Sequence, residues 1–124
     1  MVPPNDCKIL VIDPDPAIRT LLVALLRRGG IDTDCAGDHD SALERLAAQH
    51  YAAVILEPRM PRGDALLRAL RAAPSDAKPS IIIATTPDTM SGVTAQRDGV
   101  EAVLLKPFHL DELYAAVAEQ CAAV

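Results

Sequence analysis

Short apolar runs alternate with amphipathic ones five times along the chain, near residues 8 to 12, 31 to 35, 52 to 56, 80 to 85 and 100 to 105. Runs of four to six such residues, bounded by Pro, Gly and Asp, have the length and β-branched content of buried strands. The intervening stretches carry helical spacing. From Asp15 to Arg28, Ile18, Leu21, Leu22, Leu25 and Leu26 recur at three and four residues. Asp15 can cap this helix, Pro16 suits its first turn, and Gly29-Gly30 ends it. A second helix is predicted from Asp38 with Ala42, Leu43, Leu46 and Ala47 inward and His50 near its end. A third is predicted from about Asp64, as N-cap, to Ala73 before Pro74. The last, opened by His109 or Asp111, sets Leu110, Leu113, Tyr114, Val117 and Cys121 along one side, leaving Glu112, Ala115, Ala116 and Glu119 outward. Between the fourth and fifth runs, Pro87 to Thr94 holds a glycine, two threonines and few helix formers, which predicts a short, frayed or shifted helix.

Alternation of this kind predicts a parallel sheet with helices on both faces. No repeat, low-complexity tract or linker divides the chain, so residues 1–124 are read as one domain. In a doubly wound sheet the functional site lies beyond the carboxyl ends of the strands. Asp13, Glu57, Thr85 and Lys106 stand at four of those ends.

This constellation resembles the receiver domain of bacterial two-component response regulators. The resemblance covers nearly the whole chain. It rests on Ile9-Leu-Val-Ile-Asp13, on Asp15 to Leu22, on Met60-Pro61, on Thr85 and on Gly99 to Phe108. It implies a flavodoxin-like α/β fold with five parallel strands in the order 2-1-3-4-5. It also implies a pocket in which acids bind magnesium, an aspartate accepts a phosphoryl group, and the hydroxyl of Thr85 and the ammonium of Lys106 contact the phosphoryl oxygens. Against the family pattern, Glu57 stands at the phosphoacceptor position, Pro14 at the second acid, Val103 at the switch aromatic, and Arg62 at the glycine after Met60-Pro61, with Gly63 one place later. The chain is therefore read as an atypical receiver.

The departures have chemical consequences. Magnesium requires near-octahedral oxygen coordination, and Pro14 offers no side-chain oxygen. Of the remaining candidates Asp13, Glu57 and the Arg59 carbonyl, none is expected to complete a site, and Asp15 is assigned to capping. Glu57 carries its carboxylate about 1 Å or more further out, and a misplacement of ~1 Å can cost on the order of 100-fold in rate. Its length lets it reach Lys106 directly, either as a permanently set switch or as plain charge neutralisation. Val103 has no ring to rotate between inside and outside. The Arg59 guanidinium is expected in solvent.

Composition narrows the function further. The chain has 17 acids against 12 bases, a net charge of -5, which opposes nucleic-acid binding. Phe108, Tyr51 and Tyr114 are its three aromatics, too few to build a stacking site. Cys7, Cys35 and Cys121 share no motif spacing and are expected as reduced, packed thiols; His39, His50 and His109 are expected at surfaces or caps. The first six residues lack the basic and apolar parts of a secretory signal, and no segment suits a bilayer, so a cytoplasmic location is expected. With no effector segment after Val124, output is expected through a protein partner, a histidine kinase or another signalling protein, or through a homodimer using the final strands and helix. The leading expectation is a non-enzymatic, phosphorylation-independent adaptor. The alternatives are a magnesium-dependent phosphate sink using Glu57, or Asp13 by relocation, and a small phosphohydrolase built on Asp13 and Asp15.

Overall fold

The structure, a computed structural model, describes residues 7–74, 76, 78–86 and 99–122. Among the described residues nine elements follow one another: β1 (Lys8–Ile12), α1 (Pro16–Arg28), β2 (Asp32–Ala36), α2 (His39–Ala48), β3 (Ala53–Leu56), α3 (Gly63–Ala72), β4 (Ser80–Thr85), β5 (Val100–Leu105) and α4 (Leu110–Ala122). The segment expected to form a weak helix before β5 lies outside the described residues. All strands are parallel in the order β2-β1-β3-β4-β5, the doubly wound arrangement expected.

The central strands are apolar on both faces because both are covered. Ile9, Val11, Ile55 and Ile82 join α1 and α4 through Leu22, Leu26, Leu113 and Val117. Leu10, Ile12, Val54 and Ile83 turn the other way, onto Ala42, Leu66, Leu67 and Leu70 of α2 and α3. The edges are more polar: β2 carries Asp32 and Asp34, and β5 carries exposed Glu101.

Periodicity located the helices more accurately than their coverage. Leu21, Leu43 and Leu110, expected inward, are exposed, whereas Ala116, expected outward, is buried. A three-four repeat marks an apolar stripe but not its width, and a flat sheet covers only the middle of it. Asp15 caps α1, its carboxylate accepting from the Ala17 amide at 2.9 Å, and Asp38 caps α2 through the Ser41 amide at 2.7 Å. Asp64 does not cap α3. The helix starts one residue earlier, at Gly63, behind a left-handed Arg62 (φ 63°), and Asp64 pairs with Arg68 one turn on.

The expectation of three reduced thiols is overturned. Cys7 and Cys121 form a disulfide with Cα atoms 5.5 Å apart, and only Cys35 is free. Their spacing of 114 residues matches no motif, yet the parallel fold brings the start of β1 beside the end of α4.

At the amino end of the sheet the Tyr51 hydroxyl donates to Asp34 Oδ2 at 2.7 Å, and Lys8 Nζ stands 3.3 Å from the same oxygen. Burial alone would raise the Asp34 pKa, but these donors outweigh it and hold the carboxyl below its ordinary value. A depressed carboxyl stabilises the fold above its unfolded pKa and ceases to do so as pH falls through its folded pKa. Tyr51→Phe is therefore expected to cost about 1 kcal/mol at neutral pH. The difference from the parent, followed by urea denaturation, should narrow as the medium is acidified past the Asp34 transition.

Candidate functional site

Three backbone hydrogen bonds extend the parallel ladder one step past the strands. The Asp13 amide donates to the Ala36 carbonyl at 3.2 Å, the Glu57 amide to Ile12 at 2.9 Å and the Lys106 amide to Thr85 at 2.7 Å. Each residue is thereby fixed at the carboxyl rim, with Thr85 ending β4 between Glu57 and Lys106. Asp13, Glu57 and Thr85 are buried, and the Lys106 side chain is 16% exposed.

Lys106 lies between the two acids. Its Nζ is 2.6 Å from Asp13 Oδ2 and 3.2 Å from Glu57 Oε1. The other carboxylate oxygens are engaged as well: Asp13 Oδ1 accepts from the Asp15 amide at 2.9 Å, and Glu57 Oε2 from the Arg59 amide at 3.2 Å. Among the described residues no buried side-chain nitrogen or oxygen lacks a hydrogen-bond partner. Two buried anions thus share one ammonium, and amide dipoles take up the remaining lone pairs.

The donor set does not fit a magnesium ion. Such an ion needs several oxygens directed at one point, with room for its waters. Here an ammonium already bridges Asp13 and Glu57, Pro14 contributes no side-chain oxygen, and Asp15 is turned away into the α1 cap.

Neighbouring residues complete the rim in ways the sequence did not disclose. Arg59 is exposed, as expected, and its guanidinium also donates to the Thr86 hydroxyl at 2.7 Å, bridging the loop after β3 to the end of β4. Arg19, on α1, donates from Nη1 to the Asp13 carbonyl at 2.7 Å. It braces the strand end from below, pressed against Gly37, where a Cβ would come within 2.5 Å of Nη1. Gly37 was the available signal, a residue without a side chain at the close of β2. Val103 is half-buried against the α2–α3 side of the core. His39, Asp40 and Arg62 form a chain at the start of α2, with Nδ1 to Oδ1 at 3.0 Å and Nη1 to Oδ1 at 3.2 Å, but touch none of the pocket groups in these bonds.

Beside Lys106 runs an apolar cleft of about 520 Å³ between α1 and the start of α4, lined among others by Ile18, Leu21, Leu25, Phe108 and Leu110. Its walls hold two of the chain's exposed leucines, Leu21 and Leu110. No described helix is long and apolar enough to cross a membrane.

Comparison with known proteins agrees with this fold. The profile of the response regulator receiver domain matches residues 9–118. The response regulator MprA of Mycolicibacterium vanbaalenii is 38% identical over 111 residues, covering 87% of this chain and 47% of that protein. The DNA-binding response regulator MtrA of Mycolicibacterium smegmatis is 32% identical over 112 residues, 89% and 48%. The chain spans about half the length of these curated relatives. Among solved structures, a sensor protein from Polaromonas sp. JS666 superposes with a TM-score of 0.83 at 28% identity, covering 97% of this chain and 98% of that one. The response regulator TrrA of Thermotoga maritima, solved in complex with Mg(2+)-BeF, gives 0.79 at 29% identity over 92% and 98%.

Proposed function

The chain belongs to the response regulator receiver domain family, and we propose that it acts as a protein–protein signalling module whose pocket does not depend on phosphorylation. The observation that carries this reading is the Lys106 ammonium held by both Asp13 and Glu57. In a phosphorylating pocket the acids collect a divalent cation while the lysine is left for the phosphoryl oxygens. Here the protein's own cation bridges the acids, and two of the lysine's three N–H donors are already committed to them. Glu57 at the phosphoacceptor position, Pro14 at the second acid and Val103 at the switch position point the same way: cation binding, transfer and relay are each impaired.

Such a module performs no turnover of its own. Its output is contact with a signalling protein, a histidine kinase being the class the family suggests, and the apolar cleft between α1 and α4 offers a face for it. MtrA is named as DNA-binding, but the chain spans only about half of that relative, and a net charge of -5 gives DNA contact no support in this part.

A magnesium-dependent phosphate sink using Glu57 is the second reading, and Thr85 and Lys106, both retained at the rim, favour it. One experiment separates the two. Incubated with acetyl phosphate and magnesium and weighed intact, the protein is expected to gain no phosphoryl group, and its Asp13, Glu57 and Arg59 amides should stay in place during a magnesium titration followed by NMR. A labile adduct that disappears in Glu57→Gln would establish the sink and end the adaptor reading.

A further inference from the structure

The disulfide joins the two ends of the described chain. Cys7 immediately precedes β1, Cys121 lies in the last turn of α4, and 114 residues separate them. Both are buried in the face of the core that α1 and α4 cover, at 2% and 6% exposure. Cys35 pairs in register with Val11, four residues further along β1, or roughly 13 Å from Cys7 at strand spacing. It is too distant to compete for either sulfur.

We propose that Cys7 and Cys121 form a reversible thiol–disulfide switch that sets how firmly α4 is seated on the sheet. The inference is independent of any phosphoryl chemistry. Its basis is where the bond lies. α4 is held by buried Leu113, Ala116 and Val117 and by the Tyr114 hydroxyl, which donates to the Leu25 carbonyl at 2.6 Å. All of these act on its first two turns or its middle, while Cys121 anchors the last turn. That turn can fray without disturbing any strand, so a reductant reaches the sulfurs through a local opening of the kind that helix ends undergo. At its other end α4 begins four residues after Lys106, so a change in its seating bears on the same helix that walls the apolar cleft.

The chemistry balances with a dithiol reductant. Its first thiolate attacks Cys121 Sγ, forming a mixed disulfide and expelling the Cys7 thiolate, which takes up a proton. Its second thiol closes the reductant into a cyclic disulfide and releases Cys121 as a thiol. Two electrons and two protons have passed to the protein, and an external disulfide reverses the exchange.

The full chain should be purified without reductant, denatured and alkylated. One label per chain is expected, on Cys35, rising to three after dithiothreitol. Equilibrated in glutathione buffers, the pair should pass from oxidised to reduced within the accessible range. Reduction should lower the melting midpoint by roughly 10 °C and speed amide exchange in the last two turns of α4 at least tenfold more than in β3, whose amides follow the global stability. Cys35→Ser should keep this response, and Cys121→Ser should exchange like the reduced protein whether or not reductant is present. Should Cys121→Ser fail to fold, reduction of the unsubstituted chain gives the same reading. Three labels before reduction would overturn the proposal. So would identical α4 exchange in the two redox forms, or a bond that stays closed at every glutathione ratio.

Discussion

Replacing Lys106 with methionine should destabilise the protein by about 3–5 kcal/mol at neutral pH, the range for a buried ion pair that loses one partner. The reason is an excess of negative charge. Asp13 and Glu57 side chains are 3% and 7% exposed, and each directs an oxygen at the same ammonium. Methionine fills the volume of the lysine stem and leaves both carboxylates without a counter-ion. Urea denaturation at neutral pH should show the loss. Adding Glu57→Gln to the same chain leaves a single stranded charge and should recover roughly 1–2 kcal/mol. If Lys106→Met instead melts like the parent, the ammonium is not the counter-ion of this pocket and the adaptor reading loses its main support.

The second large effect is expected at Gly63. A Cβ added there would lie 2.2 Å from the Pro58 carbonyl oxygen and 2.8 Å from its carbon, both backbone atoms of the loop leaving Glu57. Neither can swing aside as a side chain does. Gly63→Ala should therefore cost about 3 kcal/mol, as overpacking of a tight contact does. Because the same loop presents the Arg59 amide to Glu57, the Arg59 amide resonance should shift in this variant even though residue 63 lies outside the pocket. Gly30→Ala is the control: its Cβ would meet nothing within 4 Å, although its φ of +82° still imposes a left-handed strain.

These two positions also show what the sequence could and could not reveal. Lys106 was legible because strand ends in a parallel sheet share one rim, so four residues from four separate runs could be placed together before any contact was known. That Glu57 would reach Lys106 followed from its length. That Lys106 would come closer still to Asp13, at 2.6 Å, did not, because side-chain lengths set which pairs can meet but not how one ammonium divides itself between two acids. Gly63 was read as a displaced turn glycine with Asp64 capping the helix. The structure instead places Arg62 in the left-handed region and starts α3 at the glycine, since the Pro58 carbonyl leaves room for nothing larger. The cysteine pair was illegible for another reason: apolar packing explains either cysteine alone, and only the fold shows that the start of β1 meets the end of α4.

The borders of the sheet carry a last consequence. An open strand offers unpaired amides and carbonyls to any other strand that approaches, and such templating leads to fibrils. With Asp32 and Asp34 along one border and Glu101 on the other, two copies drawn edge to edge would crowd carboxylates together. Concentrated stocks at neutral pH should therefore stay clear, with no fibrils templated from either border.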